Sequence, residues 1–226
     1  MVIITAFTSI GRPANASDEI LRSLRNAPPP SLMRYNGAIK LLLLAPLSRD
    51  IGEAAEMIVT RSQAQFCLLT GQARHRTALG FERFATNLMD FRKPDGAGRL
   101  VRGTEIVRNG PIGYRSTVPE SRLKRLTSVL HASGIPAFLS NKCGNHLCNQ
   151  LYYTVLHQVA LHDADMEVVF LHLLPLPRRV AAQEPDAPSM SLDLQRGAIA
   201  VIVNEVMMDS RALRPGVSRH DFGGAA

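Results

Sequence analysis

Short apolar runs, Val2 to Phe7, Ile39 to Ala45, Phe66 to Thr70, Ile135 to Leu139 and Val168 to His172, are separated by stretches whose apolar residues recur at helical spacing. Ile51, Ala54, Ala55, Ile58 and Val59 make one such stripe, and Leu123, Leu126, Val129 and Leu130 another. Strands buried on both faces read as continuous apolar runs, and parallel strands need a crossover between them, usually a helix. The alternation therefore predicts an α/β fold in which helices cover a sheet.

Punctuation residues divide the chain further. Ser17-Asp18-Glu19 is a good helix start for a segment running to about Leu24, Pro28-Pro29-Pro30 marks a connection, and Gly134 suits the end of the Leu123 helix. Between Arg92 and Pro119, glycines, prolines and charges rise. There, Glu105 to Arg108, Asn109-Gly110 and Ile112 to Thr117 predict a β-hairpin on a two-residue turn. Leu147, Leu151, Val155 and Val159 define a helix before the last strand, Pro175 to Met190 reads as a loop, and a final helix spans Ser191 to about Met208. Residues 1–210 read as a single domain, with 211–226 a frayed tail.

Composition excludes several function classes. The net charge of +7 comes from scattered basic residues without a lysine run, and aromatics are only 5%, so no stacking platform for nucleic acid emerges. The longest apolar runs, near Ile39 to Leu47 and Val168 to Leu176, fall far short of the ~20 residues that cross a bilayer. Three cysteines do not make a disulfide framework, and Met1 to Phe7 lacks the charged start of a secretory leader. A reducing cytoplasm is the expected compartment.

Chemistry concentrates around Cys148. It follows the run Ile135 to Ser140 and the turn Asn141-Lys142-Cys143-Gly144-Asn145, near the start of a helix, where free backbone N–H groups and the helix dipole favour a thiolate. His172 ends an apolar strand, and Glu82 lies among Arg76, Arg83, Asn87, Asp90 and Arg92 in a segment that reads as too polar for core. Gly71-Gln72-Ala73, the Ser140 to Cys148 turn and His172 all follow or end predicted strands, and are expected along one sheet edge. Cys67 belongs to the core. Cys143 is either a small packing residue or a disulfide partner for Cys148, and Cys143, His146 and Cys148 lack the spacing and the fourth ligand of a zinc site.

Ser140-Asn141-Lys142-Cys143-Gly144-Asn145-His146-Leu147-Cys148-Asn149 resembles the nucleophile motif S-N-x-A-G-x-[YF]-L-C-N of the pyroglutamyl peptidases, also called pyrrolidone-carboxylate peptidases. Gly71-Gln72-Ala73, Arg76, Glu82-Arg83-x-Ala85-x-Asn87 and Asp90-x-Arg92-x-Pro94-Asp95 resemble the family's glutamate motif. Gly110-Pro111 with Tyr114-x-Ser116-Thr117-Val118-Pro119 is similar to a third block, and Phe170-Leu171-His172 with Pro177 to the histidine motif. The likeness is best over residues 64 to 177.

The resemblance implies a single-domain three-layer α/β/α sandwich with a mostly parallel, mixed central sheet, and a cysteine peptidase that removes an N-terminal pyroglutamyl residue from peptides. It implies a homo-oligomer, often a tetramer, with no metal or organic cofactor. By position, Cys148 is the nucleophile, His172 the general acid/base, Glu82 the orienting carboxylate and Arg92 a cation near the developing oxyanion. Phe7, Ile10 and Gln72 fall where the family lines its pyrrolidone pocket.

The departures lie in recognition. Where the family carries F-x-P-F-G, this chain has Phe7-Thr8-Ser9-Ile10-Gly11, while His75 replaces a glycine and His146 an aromatic residue. Loss of one aromatic wall weakens ring binding by on the order of 1 kcal/mol. A weakly catalytic lactam- or peptide-binding homologue and a Cys143/Cys148 redox protein are the alternative readings.

Overall fold

A computed structural model describes residues 1–9 and 15–212. In chain order these form β1 (Val2–Phe7), α1 (Ala16–Asn26), the short α2 (Pro30–Met33), β2 (Ile39–Leu44), α3 (Ile51–Glu56), β3 (Phe66–Gln72), β4 (Leu79–Glu82), β5 (Phe84–Thr86) and β6 (Gly113–Arg115). Then come α4 (Glu120–Ala132), β7 (Ala137–Ser140), α5 (Leu147–Leu161), β8 (Glu167–Leu173), α6 (Pro177–Gln183) and α7 (Leu192–Ala212). The cap of helix α1 lies two residues before Ser17, because Asn15 takes that role and its side-chain oxygen accepts from Asp18 N. The Pro175 to Met190 stretch holds a short helix led by Pro177, whose missing N–H costs nothing in a first turn.

The central sheet has six strands in the order β2-β1-β3-β8-β4-β7. Strands β2, β1, β3 and β8 are parallel, as are β4 and β7, and β4 meets β8 antiparallel. Side-chain alternation sends Val2, Ile4, Leu68, Phe81, Val169 and Leu171 into one apolar layer, shared with α1, α4 and α7. Ile3, Phe7, Cys67, Leu69, Val168 and Phe170 enter the opposite layer, with α3 and α5. The result is the expected three-layer, mostly parallel mixed sheet. Among the described residues, no helix is long and apolar enough to cross a membrane.

The expected hairpin does not form. Asn109 adopts a left-handed turn conformation, φ 57°, and Gly110 N donates to Val107 O, but the strand that follows pairs antiparallel with β5 instead. The reason is Asn87. Its Oδ1 accepts from Ile106 N and Val107 N and its Nδ2 donates to Val107 O, so a side chain occupies the backbone groups that a ladder would use.

The Glu82 segment also differs from expectation. Leu79 to Glu82 is a fully buried strand, with Glu82 at 0% exposure. A further difference is direction: β7 runs antiparallel to β8, so Ser140 does not leave the sheet at the edge where β3 and β8 end. The loop to α5 must return Cys148 to that row.

Candidate active site

Strand register brings residues from distant parts of the chain into one row. Gly71 on β3 and Gly80 on β4 are both register partners of His172 on β8, and Gly80 is in turn level with Phe138 on β7. On the other flank Phe7 is level with Leu44 of β2, and continuing the Thr5–Leu69 pairing sets Phe7 beside Gly71. Because Leu69 and Phe170 face the α3/α5 layer, so do Gly71 and His172 two residues on. Leu79 and Phe81 face the other layer, which turns Gly80 and Glu82 toward α5.

The two glycines leave room beside the imidazole. A Cβ at Gly71 would stand 2.8 Å from Cys148 Sγ and 2.9 Å from the Phe170 ring. A Cβ at Gly80 would stand 2.5 Å from Arg76 Nη1. The sulfur thus fills one gap and a guanidinium the other. The Phe170 ring lies 4.8 Å from the His172 ring, centroid to centroid.

His172 Nδ1 lies 2.6 Å from Glu82 Oε1, both side chains buried. A carboxylate only accepts, so Nδ1 carries the proton and neutral His172 keeps its lone pair on Nε2. Arg76 Nη2 donates to the same Oε1. Tyr152 OH donates to the Glu82 carbonyl, and Asn149 joins α5 to the β5 strand by accepting from Thr86 N and donating to Thr86 O.

Cys148 sits in the first turn of α5 after the cap His146, whose ring packs on Phe91 and whose Nε2 donates to Lys93 O. Burial is the largest influence on the half-buried Cys148, pushing its thiol up to about 12; the Glu82 charge adds to this and Arg76 opposes it. Where the helix start leads one to expect a thiolate, withdrawal of the sulfur from water acts in the opposite direction and favours the thiol. Cys143 is buried and its thiol is raised by burial, then by Glu82 and Cys148. Cys67 is core, and all three cysteines are free.

Phe7 is buried at the end of β1. Gln72 Oε1 accepts from Ala16 N at the start of α1, which leaves its NH2 as the group that can meet a ligand. Arg92 is exposed and makes no hydrogen bond or ion pair among the described residues. His75 is exposed, and Ile10 lies outside the described residues. Among the described residues, no group of three or more His, Cys, Asp or Glu is arranged to hold a metal ion.

A cleft of about 180 Å³ adjoins the start of α5, lined by Thr8, Ser9, Asn15, Pro94, His146 and Leu147. A larger one of about 520 Å³, lined by Leu24, Tyr35, Ile39 and Leu41, lies on the opposite layer, away from the sulfur. Arg76 is the neighbour of the buried acid to which the sequence assigned no role. Its signal was its place in the glutamate motif, but nothing in a linear sequence tells which of several nearby arginines will meet a buried acid.

A family model described as pyroglutamyl peptidase matches residues 35–209. The pyrrolidone-carboxylate peptidase of Vibrio parahaemolyticus is 33% identical over 207 residues, covering 91% of this chain and 92% of its own. That of Escherichia fergusonii is 31% identical over 224 residues, covering 97% and 99%. The crystal structure of the pyrrolidone carboxyl peptidase of Fervidobacterium islandicum superposes with a TM-score of 0.82 at 30% identity, covering 92% of this chain and 98% of its own. A mutant enzyme from Pyrococcus furiosus gives 0.79 at 27% identity, with 92% and 98% covered. With its motif blocks in family order and its sheet in the family's arrangement, the chain belongs to the pyroglutamyl peptidases, a family of cysteine-type hydrolases.

Proposed function

We propose that this chain hydrolyses the bond after an N-terminal pyroglutamyl residue through a thioester on Cys148, with His172 and Glu82 completing a catalytic triad. The observation that carries the reading is the Glu82–His172 hydrogen bond in the sheet row over which the Cys148 sulfur lies.

The half-buried thiol needs a base at the moment of attack. His172 Nε2 takes the Cys148 proton as sulfur adds to the exocyclic carbonyl, and Glu82 stabilises the imidazolium that forms. The imidazolium then protonates the departing amine, leaving a thioester. Water, deprotonated by the same imidazole, releases pyroglutamate and restores the thiol. A neutral lactam has no ammonium to anchor, so recognition falls to shape and hydrogen bonds. Phe7, Ile10 and the Gln72 NH2 are the groups we assign to the ring, and Arg92 the cation we assign to the developing oxyanion. The chemistry asks for no metal or cofactor. A free nucleophilic thiol suits a reducing cytoplasm, and the family resemblance supports a homotetramer.

The test is hydrolysis of pyroglutamyl and prolyl amides side by side by wild type and Cys148→Ser. We expect cleavage of the pyroglutamyl amide alone, lost in Cys148→Ser and after alkylation, and unaffected by chelators. Preference for the prolyl amide would overturn the assigned specificity, and full activity in Cys148→Ser would overturn the mechanism.

A further inference from the structure

One guanidinium joins the acid end of the site to the loop that delivers the nucleophile. Arg76 Nη2 donates to Glu82 Oε1, to Ser140 Oγ at 3.1 Å and to Lys142 O at 3.0 Å. Its two hydrogens are therefore shared among a carboxylate on β4, a hydroxyl at the end of β7 and a carbonyl in the turn before α5. The guanidinium carbon lies 5.2 Å from the centre of the Phe138 ring, and the missing side chain of Gly80 makes the space it occupies. The Arg76 side chain is only 17% exposed. A solvated surface charge has no such set of partners.

We propose that Arg76 is a positioning residue for catalysis, holding the Glu82 carboxylate on His172 while fixing the loop that carries Cys148. The proposal rests on the Cys148, His172 and Glu82 assignment above. A lysine could supply the charge at one point but not the planar, several-donor geometry that reaches both elements. The groups facing Glu82 from the surrounding elements are Arg76, His172, Cys143, Cys148 and Tyr152, and Arg76 is the only permanent cation among them. A cation favours the deprotonated form of every acid beside it, so its removal moves the acid limb of thiol reactivity to higher pH.

The experiment measures kcat and KM on a pyroglutamyl amide. In parallel it follows the pH dependence of iodoacetamide alkylation at Cys148, read by mass spectrometry so that Cys67 and Cys143 do not contribute. Arg76→Gln is expected to lower kcat on the order of tenfold to hundredfold with KM changed less than about threefold, and to raise the acid limb of alkylation by about one pH unit. Arg76→Lys is expected to bring that limb back toward wild type while kcat stays low. In Gly80→Ala the three atoms nearest the added methyl all belong to the flexible Arg76 side chain, so this variant is expected to fold normally, displace the guanidinium and shift the limb in the same direction.

An Arg76 acting only in folding would lower the folded fraction and leave the limb in place. An alkylation profile unchanged in both Arg76→Gln and Gly80→Ala would overturn the proposal. Should the wild type cleave no pyroglutamyl amide, the functional reading fails, and the alkylation profile still decides the role of Arg76.

Discussion

Glu82 is an acid in the middle of a sheet, and its surroundings explain why it is tolerated there. Its Oε1 meets both His172 Nδ1 and the Arg76 guanidinium, so a buried charge is paired and hydrogen-bonded rather than isolated. Replacing it with Gln removes that charge and lets an amide NH2 face the imidazole, which favours the wrong tautomer. Glu82→Gln is expected to lower kcat by roughly 10²–10⁴-fold with KM close to wild type, checked by steady-state kinetics on a pyroglutamyl amide. At this scale the sequence was informative about identity. Glu82 and His172, singled out from separate motif blocks, share a hydrogen bond, the Cys148 sulfur lies beside Gly71 in the next strand, and Cys67 is core as its apolar neighbours implied. What the residues could not tell was how far the sulfur is withdrawn from water, which favours the thiol and is a property of the folded chain.

At the scale of elements, strand β3 is tuned by one missing side chain. Gly71 approaches both Cys148 Sγ and the Phe170 ring so closely that even a methyl group must displace one of them. Phe170 is buried and cannot yield cheaply. Gly71→Ala is expected to lose most activity and about 1–3 kcal/mol of stability, measured by kinetics and by denaturant unfolding. Wild-type kinetics in that variant would show that the sulfur does not work from this position. The apolar runs predicted β1, β3 and β8 well because buried strands leave a continuous apolar signature, and they also found the edge strands β2 and β7, whose side chains are only partly buried. Strand β4 escaped because its alternate positions are Gly80 and Glu82, which carry no apolar signal, so the segment around Glu82 reads as too polar for core. The false hairpin has a related cause: turn residues at 109 and 110 announce a reversal, but Asn87, well upstream, decides which strand pairs afterward.

In the whole molecule, the loops around the cleft are held by a buried acid far from the sulfur in sequence. Asp95 accepts from Ser48 N, Ala97 N and Arg99 N, and Gly96 N donates to Pro46 O, so the β2–α3 connection and the segment after Arg92 form one unit. Burial raises the Asp95 carboxyl, but these backbone donations, with the Arg99 charge, outweigh it and hold the group below its ordinary value. A carboxyl lowered by folding contributes stability above the usual carboxylate range, near pH 4, and loses it as pH falls toward the folded value. Asp95→Asn is therefore expected to cost on the order of 1–2 kcal/mol at neutral pH, with the gap to wild type closing in acid, as denaturant midpoints across pH can show. A gap independent of pH would remove the carboxylate from the explanation.

The amino-acid order by itself determined the layered α/β class and the chemical cast, because burial periodicity and motif spacing are local properties that survive in one dimension. Only the tertiary structure decided that β4 and β7 run against β8, that two glycines flank the imidazole, and which arginine meets the buried acid. Those outcomes follow from strand register and packing between segments far apart in the chain, where no local preference chooses the partner.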